Sequence, residues 1–309
     1  MGFRFKQDDK SVEDGFRRIA LEQIEAAIAE ASDAGADPHV TIHGVRKRCK
    51  ALRGLFRMAR PGFAQYRKAN AAVRDAARIL SALRDGEAQI EAFDGLAAAM
   101  PDAFESGRFA PVRLELQRRR DDAEARFDSA ARLADFGAAM RRLKRQAAGW
   151  KLTGTGWSLL GEGAGAIYRR GRKAMNAARK SQRIDDFHEW RKQVKYHWHH
   201  SRLLAPAWPG PLKAHVAAAD TLAEALGAHR DLDMLIEAVI AEPAAFGEPA
   251  TAAAFAALAR KRQQALDRSA FEQGDRLFAE KPGALARRWG AYWQSWRGGR
   301  DEKKPALAA

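Results

Sequence analysis

His43-Gly44-Val45-Arg46-Lys47-Arg48-Cys49-Lys50-Ala51-Leu52-Arg53-Gly54-Leu55-Phe56-Arg57 decides the architecture, because its pattern returns. Shifted by 145 positions, His43, Arg46, Lys47, Lys50 and Arg57 reappear as His188, Arg191, Lys192, Lys195 and Arg202. A second marker, Arg84-Asp85 with Glu87, Ile90 and Glu91, comes back as Arg230-Asp231 with Asp233, Ile236 and Glu237, shifted by 146. Two landmarks about forty residues apart that keep nearly one offset imply an internal duplication. A duplicated unit folds as two like halves.

Within a helix each residue turns about 100°, so His43, Arg46, Lys47, Lys50, Arg53 and Arg57 fall on one stripe about 120° wide. The other side carries Val45, Leu52, Phe56 and Ala59, with Cys49 at its edge, which is the apolar face that packing needs. One side packs and the other presents cations. In the second copy His188, Arg191, Lys192, Lys195 and Arg202 repeat the ridge and His199 joins it. Trp190, Val194 and Leu204 take the core side there, together with His197 as a packed histidine.

Around these stretches nearly the whole chain reads helical at a 3.6-residue period, and no alternating strand pattern stands out. Proline and glycine punctuation divides the first half into helices over about 11–34, 38–59, 62–82 and 84–99. Pro101 and Pro111 bracket a loop, and about 111–150 gives one or two highly charged helices that bridge the halves. Gly154, Gly156, Gly161, Gly163 and Gly165 mark a loop between them. The second half offers helices near 166–181, 184–204, 211–227 and 229–242, closed by 249–280 and 283–297. Trp289, Tyr292, Trp293 and Trp296 on the last of these read as core packing. The expected organisation is thus a short extension over 1–10, a first half over about 11–110, a second half over about 160–297, and a disordered tail over 298–309.

Composition bounds the partners. In 309 residues, hydrophobic types make up 46 % and the mean hydropathy is -0.48. No window approaches the ~18 apolar residues of a membrane span, so no membrane partner is expected. The N-terminus has no apolar run with a small-residue cleavage site, so a cytoplasmic protein is expected. The single cysteine, Cys49, permits no internal disulfide and no multi-cysteine metal site, and reads as a small hydrophobe. The charge is the main functional clue: 54 Lys+Arg against 39 Asp+Glu gives +15. That excess points to polyanions, and it is clustered, since Arg46–Arg60 and Arg169–Arg183 each hold seven basic residues and no acidic one.

Arginine offers a planar fork of donors, lysine a mobile point charge and histidine a titratable donor, a set suited to phosphates. From His43 to Arg57 the ridge runs about 21 Å. This is long for one small phosphate and fits a linear polyanion. If the two copies face each other across a pseudo-two-fold axis, their ridges line a shared basic groove. Arg169, Arg170, Arg172 and Lys173 follow the glycine-rich loop at a helix start, where they either meet anions together with backbone donors or form a solvated charged face. Arg84 and Arg230 either enter the groove or pair with carboxylates such as Asp85, Glu87, Asp231 and Asp233 to fix the bundle.

Signals for catalysis are weak. Gly161-x-Gly163-x-Gly165 lacks the third glycine of a dinucleotide fingerprint, and no Walker loop, His-Glu-x-x-His or Gly-x-Ser-x-Gly occurs. His39 with His43, or His197 with His199 and His200, lacks a carboxylate or cysteine companion for a metal. No cofactor, no metal and no enzymatic activity are expected.

Four motifs in order, His43-Gly-Val-Arg46-Lys47-Arg48-Cys-Lys50-Ala-Leu-Arg53, Ala77-Arg-Ile-Leu-Ser-Ala-Leu-Arg84-Asp85, Phe187-His188-Glu-Trp-Arg191-Lys192-Gln-Val-Lys195 and Ala228-His-Arg230-Asp231-Leu-Asp-Met, resemble the CHAD family, the conserved histidine α-helical domain. The resemblance spans about residues 8–285. It implies an all-α fold of two tandem, pseudo-two-fold-related four-helix bundles around a basic central cavity or groove. It also implies a module that binds inorganic polyphosphate and is found at polyphosphate granules. The family's binding residues carry over to His43, Arg46, Lys47, Lys50, Arg53 and Arg57, and to His188, Arg191, Lys192, Lys195 and Arg202. Trp198 stands where Arg53 would repeat. The triphosphate-tunnel domain often fused to this family carries a Glu-x-Glu-x-Lys strand, and no Glu-x-Glu occurs here. A nucleic-acid-binding protein using the same groove is the second reading, and a polyphosphate-processing enzyme the third.

Overall fold

In a computed structural model, residues 2–33 and 35–298 are described, with the backbone alone at 82–85. They form eleven α-helices: α1 (Val12–Ala31), α2 (Pro38–Ala59), α3 (Tyr66–Ile79), α4 (Ser81–Ala99), α5 (Ala110–Arg126), α6 (Ser129–Ala147), α7 (Gly156–Ser181), α8 (Ile184–Leu204), α9 (Pro209–Ala241), α10 (Pro249–Leu277) and α11 (Pro282–Arg297). The fold is all-α, and among the described residues the only extended pairing is one antiparallel bridge between Phe63 and Leu152. Short 3₁₀ turns follow α2 at Arg60–Gly62 and α8 at Ala205–Ala207, again 145 positions apart. Prolines open both turns, as the missing N–H of proline allows.

α1 packs on α2 and α6, and α3 lies against α2 and α6. α8 packs between α7 and α9, while α11 covers α7. The main core runs through both groups, with Phe16, Phe56, Phe63 and Trp150 at one end and Trp190, Trp289 and Trp293 at the other. A second apolar cluster joins α4, α5, the far part of α9 and the start of α10 through Phe93, Val112, Leu235, Phe246 and Phe255.

Several sequence expectations change here. Residues 2–10, expected as an extension, pack on the body: Phe5 is buried, its N–H bonds Leu203 O at 3.1 Å, and its ring meets Trp293 edge-on. The supposed bridge over 111–150 divides, α6 packing on α1 and α3 while α5 pairs with α4. The glycine-rich loop is the start of α7, which begins at Gly156. Its glycines serve close packing, since a Cβ on Gly163 would sit 1.9 Å from Met58 O of α2. The helices read over 211–227 and 229–242 are one, α9. Gly227 does not end it; it is buried in mid-helix with the Arg191 guanidinium at ordinary contact distance, 3.4 Å from where a Cβ would be. Beyond Gly298, the last described residue of the α11 cap, the tail expectation lies outside the described residues. Trp289 and Trp293 are core residues, as read.

Candidate polyanion-binding site

Asp37 starts α2 by accepting from the backbone N–H of His39 at 2.8 Å and of Val40 at 3.0 Å, with Pro38 at the first helical position. From that start Ile42, Val45, Cys49, Leu52 and Phe56 point into the core. Burial pushes the Cys49 thiol up to about 12, so it serves as an apolar filler. His43, Lys47 and Lys50 are exposed on the other side, and Arg46, Arg53 and Arg57 reach across α3.

Each arginine of this ridge has a defined seat. Arg46 Nη1 donates to Ala77 O at 3.2 Å and Leu80 O at 3.4 Å, at the junction of α3 and α4. Arg53 Nε donates to Asn70 Oδ1 at 3.2 Å. Arg57 Nη1 donates to the Tyr66 hydroxyl at 2.5 Å, and its guanidinium lies 4.1 Å from the centre of the Tyr196 ring on α8. Hydroxyl, amide and ring partners orient Arg53 and Arg57 while leaving their charge unneutralised.

On α8 the ridge faces α9. Arg230 Nη1 lies 2.7 Å and 2.8 Å from the two His188 ring nitrogens, of which only the unprotonated one of a neutral ring can accept from it. Burial first, then the Arg230 charge, pushes the His188 pKa down. Burial lowers Arg191 as well, opposed by Asp231 nearby. Lys195 Nζ sits 3.4 Å from Asp220 Oδ1 and 4.6 Å from the Trp198 ring centre, and burial lowers it. Arg202 also lies over the Trp198 ring, 4.6 Å from its centre, and 5.7 Å from the centre of the Phe3 ring. Lys192 is exposed and paired with Glu189 of its own helix.

The two ridge helices cross at Gly54 and His199, positions separated by the duplication offset of 145. A Cβ on Gly54 would lie 2.7 Å from His199 Cβ, and the His200 ring nitrogen Nε2 is 3.0 Å from Gly54 O. Lys50 of α2 and Lys195 and Arg202 of α8 all act electrostatically on His199, so cations of both helices flank one crossing.

His199 itself is corrected. It was expected among the binding residues, but the crossing buries it against Gly54 and Phe3, and burial holds it neutral. His197 is buried, as read, stacked on Trp289 with its Nε2 2.7 Å from His215 Nε2. Arg169, Arg170, Arg172 and Lys173 sit deep inside α7, not at a helix start, so the backbone-donor argument for them lapses. Arg172 Nη1 donates to Glu280 O at 3.2 Å, and Arg170 lines a cavity beside Arg57. The Arg84 side chain lies outside the described residues. Tyr66, Asn70 and Tyr196, which seat the α2 arginines, escaped the sequence reading because they lie on other helices. Only the proximity of Tyr196 to the second ridge hinted at one of them.

Two crossed basic helices held in an all-α bundle set the class of fold. The model of the family described as "CHAD domain" matches residues 18–240, and the chain belongs to that family. The crystal structure of the CHAD domain from the plant Ricinus communis superimposes with a TM-score of 0.55 over 90 % of this chain and 96 % of that one. At 18 % identity that likeness concerns the fold. No curated protein matches the sequence. No described helix is long and apolar enough to cross a membrane.

Proposed function

We propose that the chain binds inorganic polyphosphate, without acting on it, along the cationic sides of α2 and α8. The single observation that carries this is the crossing at Gly54 and His199. It brings two copies of one basic pattern to a common place, as a pseudo-two-fold arrangement around a shared basic groove would require. The CHAD family is linked to polyphosphate binding in general, which agrees with this reading. His43, Arg46, Lys47, Lys50, Arg53 and Arg57 would serve one side, and His188, Arg191, Lys192, Lys195, Arg202 and Arg230 the other. Association with polyphosphate granules in the cytoplasm follows from such binding.

A nucleic-acid reading needs aromatic faces open for base stacking. Tyr196 and Trp198 are instead covered by Arg57, Lys195 and Arg202. Chemistry on phosphoanhydrides would call for carboxylates that hold a metal near the phosphates. Two carboxylates beside the second ridge, Asp220 and Glu189, are each engaged with a ridge lysine. The test is competition among long-chain polyphosphate, single-stranded DNA and pyrophosphate, with phosphate release followed in magnesium. Long-chain polyphosphate should win and release no phosphate. Preference for DNA would reject the reading, and release of phosphate would make the protein an enzyme.

A further inference from the structure

The C-terminal end of the α2 ridge opens onto a cavity that the sequence did not announce. Its volume is about 200 Å³, and Arg57, Arg60, Pro61, Glu162, Ala166 and Arg170 line it, with Gly163 and Ile167 completing the wall. Three guanidiniums and one carboxylate leave a surplus of two positive charges. The cavity exists because α7 approaches α2 at Gly163, where any side chain would meet the Met58 carbonyl. Arg57 is fixed there by Tyr66 and Tyr196, while its Nε is buried without an acceptor. Arg60 lies 5.0 Å from the Tyr66 ring centre. One tyrosine therefore organises two of the three arginines.

Guanidinium groups converging on one small cavity favour an anionic group that can accept from several of them. Drug-sized ligands occupy pockets of about 300–1,000 Å³, so this cavity suits a single compact group. The terminal phosphate of a linear polyphosphate carries more charge than an internal one and has three free oxygens for three arginine forks. We infer that Arg57, Arg60 and Arg170 form an end-binding pocket that anchors the terminal phosphate of a chain lying along the α2 ridge. The inference rests on the polyphosphate reading and adds a polarity to it: the chain is held by its end as well as along its length.

The test uses the full chain and four ligands: tripolyphosphate, ATP, long-chain polyphosphate, and the same polymer with both ends blocked as phosphoramidates. Arg60 and Arg170 are exposed, so Arg60→Ala/Arg170→Ala should keep the wild-type melting curve. That variant should bind tripolyphosphate at least tenfold more weakly, and Glu162→Gln should bind it more tightly. Blocking the ends should weaken long-chain binding to the wild type and leave binding to the double variant unchanged. Equal wild-type affinity for blocked and open polymer, unaltered tripolyphosphate binding by the double variant, or preference for ATP over tripolyphosphate would each overturn the pocket. Failure of the ridge reading looks different, because blocked long-chain polymer would then lose to single-stranded DNA on the wild type.

Discussion

Gly54 is the residue on which the ridge arrangement turns. A methyl group there would press on His199 Cβ, which belongs to the neighbouring helix and cannot rotate away. Gly54→Ala should therefore cost about 1–3 kcal/mol of stability, read as a lower melting temperature, and should weaken polyphosphate binding by displacing Arg57 from Tyr196. Retained affinity in a destabilised Gly54→Ala protein would separate the crossing from the site. The neighbouring histidines set a pH dependence. Burial pushes His200 and His215 down to about 4, and His197 and His199 well below the usual imidazole range. The unfolded chain takes up these protons near pH 6.5 while the folded one does not. Their contribution is thus complete above about pH 6.5 and falls as pH drops toward 4, by up to about 1.4 kcal/mol per pH unit for each histidine. Melting followed from pH 7.5 to 4.5 should show this decline, and a flat profile would mean that the rings are not held neutral.

Among the elements, α2 and α8 were legible because charge and apolar residues alternate at helical spacing and the pattern occurs twice. α7 was not legible at its start. Glycine is a helix breaker by propensity, yet Gly163 is helical because α2 comes too close for a side chain. Sequence alone shows a glycine's freedom and hides the partner that exploits it. The same blindness explains His199: its spacing from Lys195 and Arg202 sets it on the ridge, but only the second helix reveals that this position is covered. Gly163→Ala should consequently lower stability by the upper part of about 1–3 kcal/mol, because its Cβ meets backbone and not a side chain. Unchanged melting would mean that α7 can slide from α2 without cost. Arg46 and Arg191 show how equivalent residues serve unlike elements. One donates at the junction of α3 and α4, and the other rests on the continuous α9.

For the whole molecule, the surplus of +15 makes long-range attraction general, while the ridges and the cavity give it a place. Polyphosphate affinity should fall linearly in log Kd against log salt, with a slope that grows with the number of phosphates engaged. Replacing Lys47, Lys50 and Arg53 by alanine should flatten that slope without moving the melting temperature greatly. An identical slope would send the polymer elsewhere on the surface. The second apolar cluster, built by α4, α5 and the far part of α9, stands apart from the main core and carries no ridge residue. The N-terminal segment, by contrast, is inseparable from that core. Arg297 of α11 is buried and donates to the carbonyls of Lys6 at 3.3 Å, Gln7 at 2.8 Å and Asp9 at 2.7 Å. Phe5 depends on Trp293 in the same way. Truncation before Pro282 would therefore strip Phe5 of its aromatic neighbour and leave the carbonyls of Lys6, Gln7 and Asp9 without their buried donor, so loss of α11 should loosen this distant segment and open it to limited proteolysis.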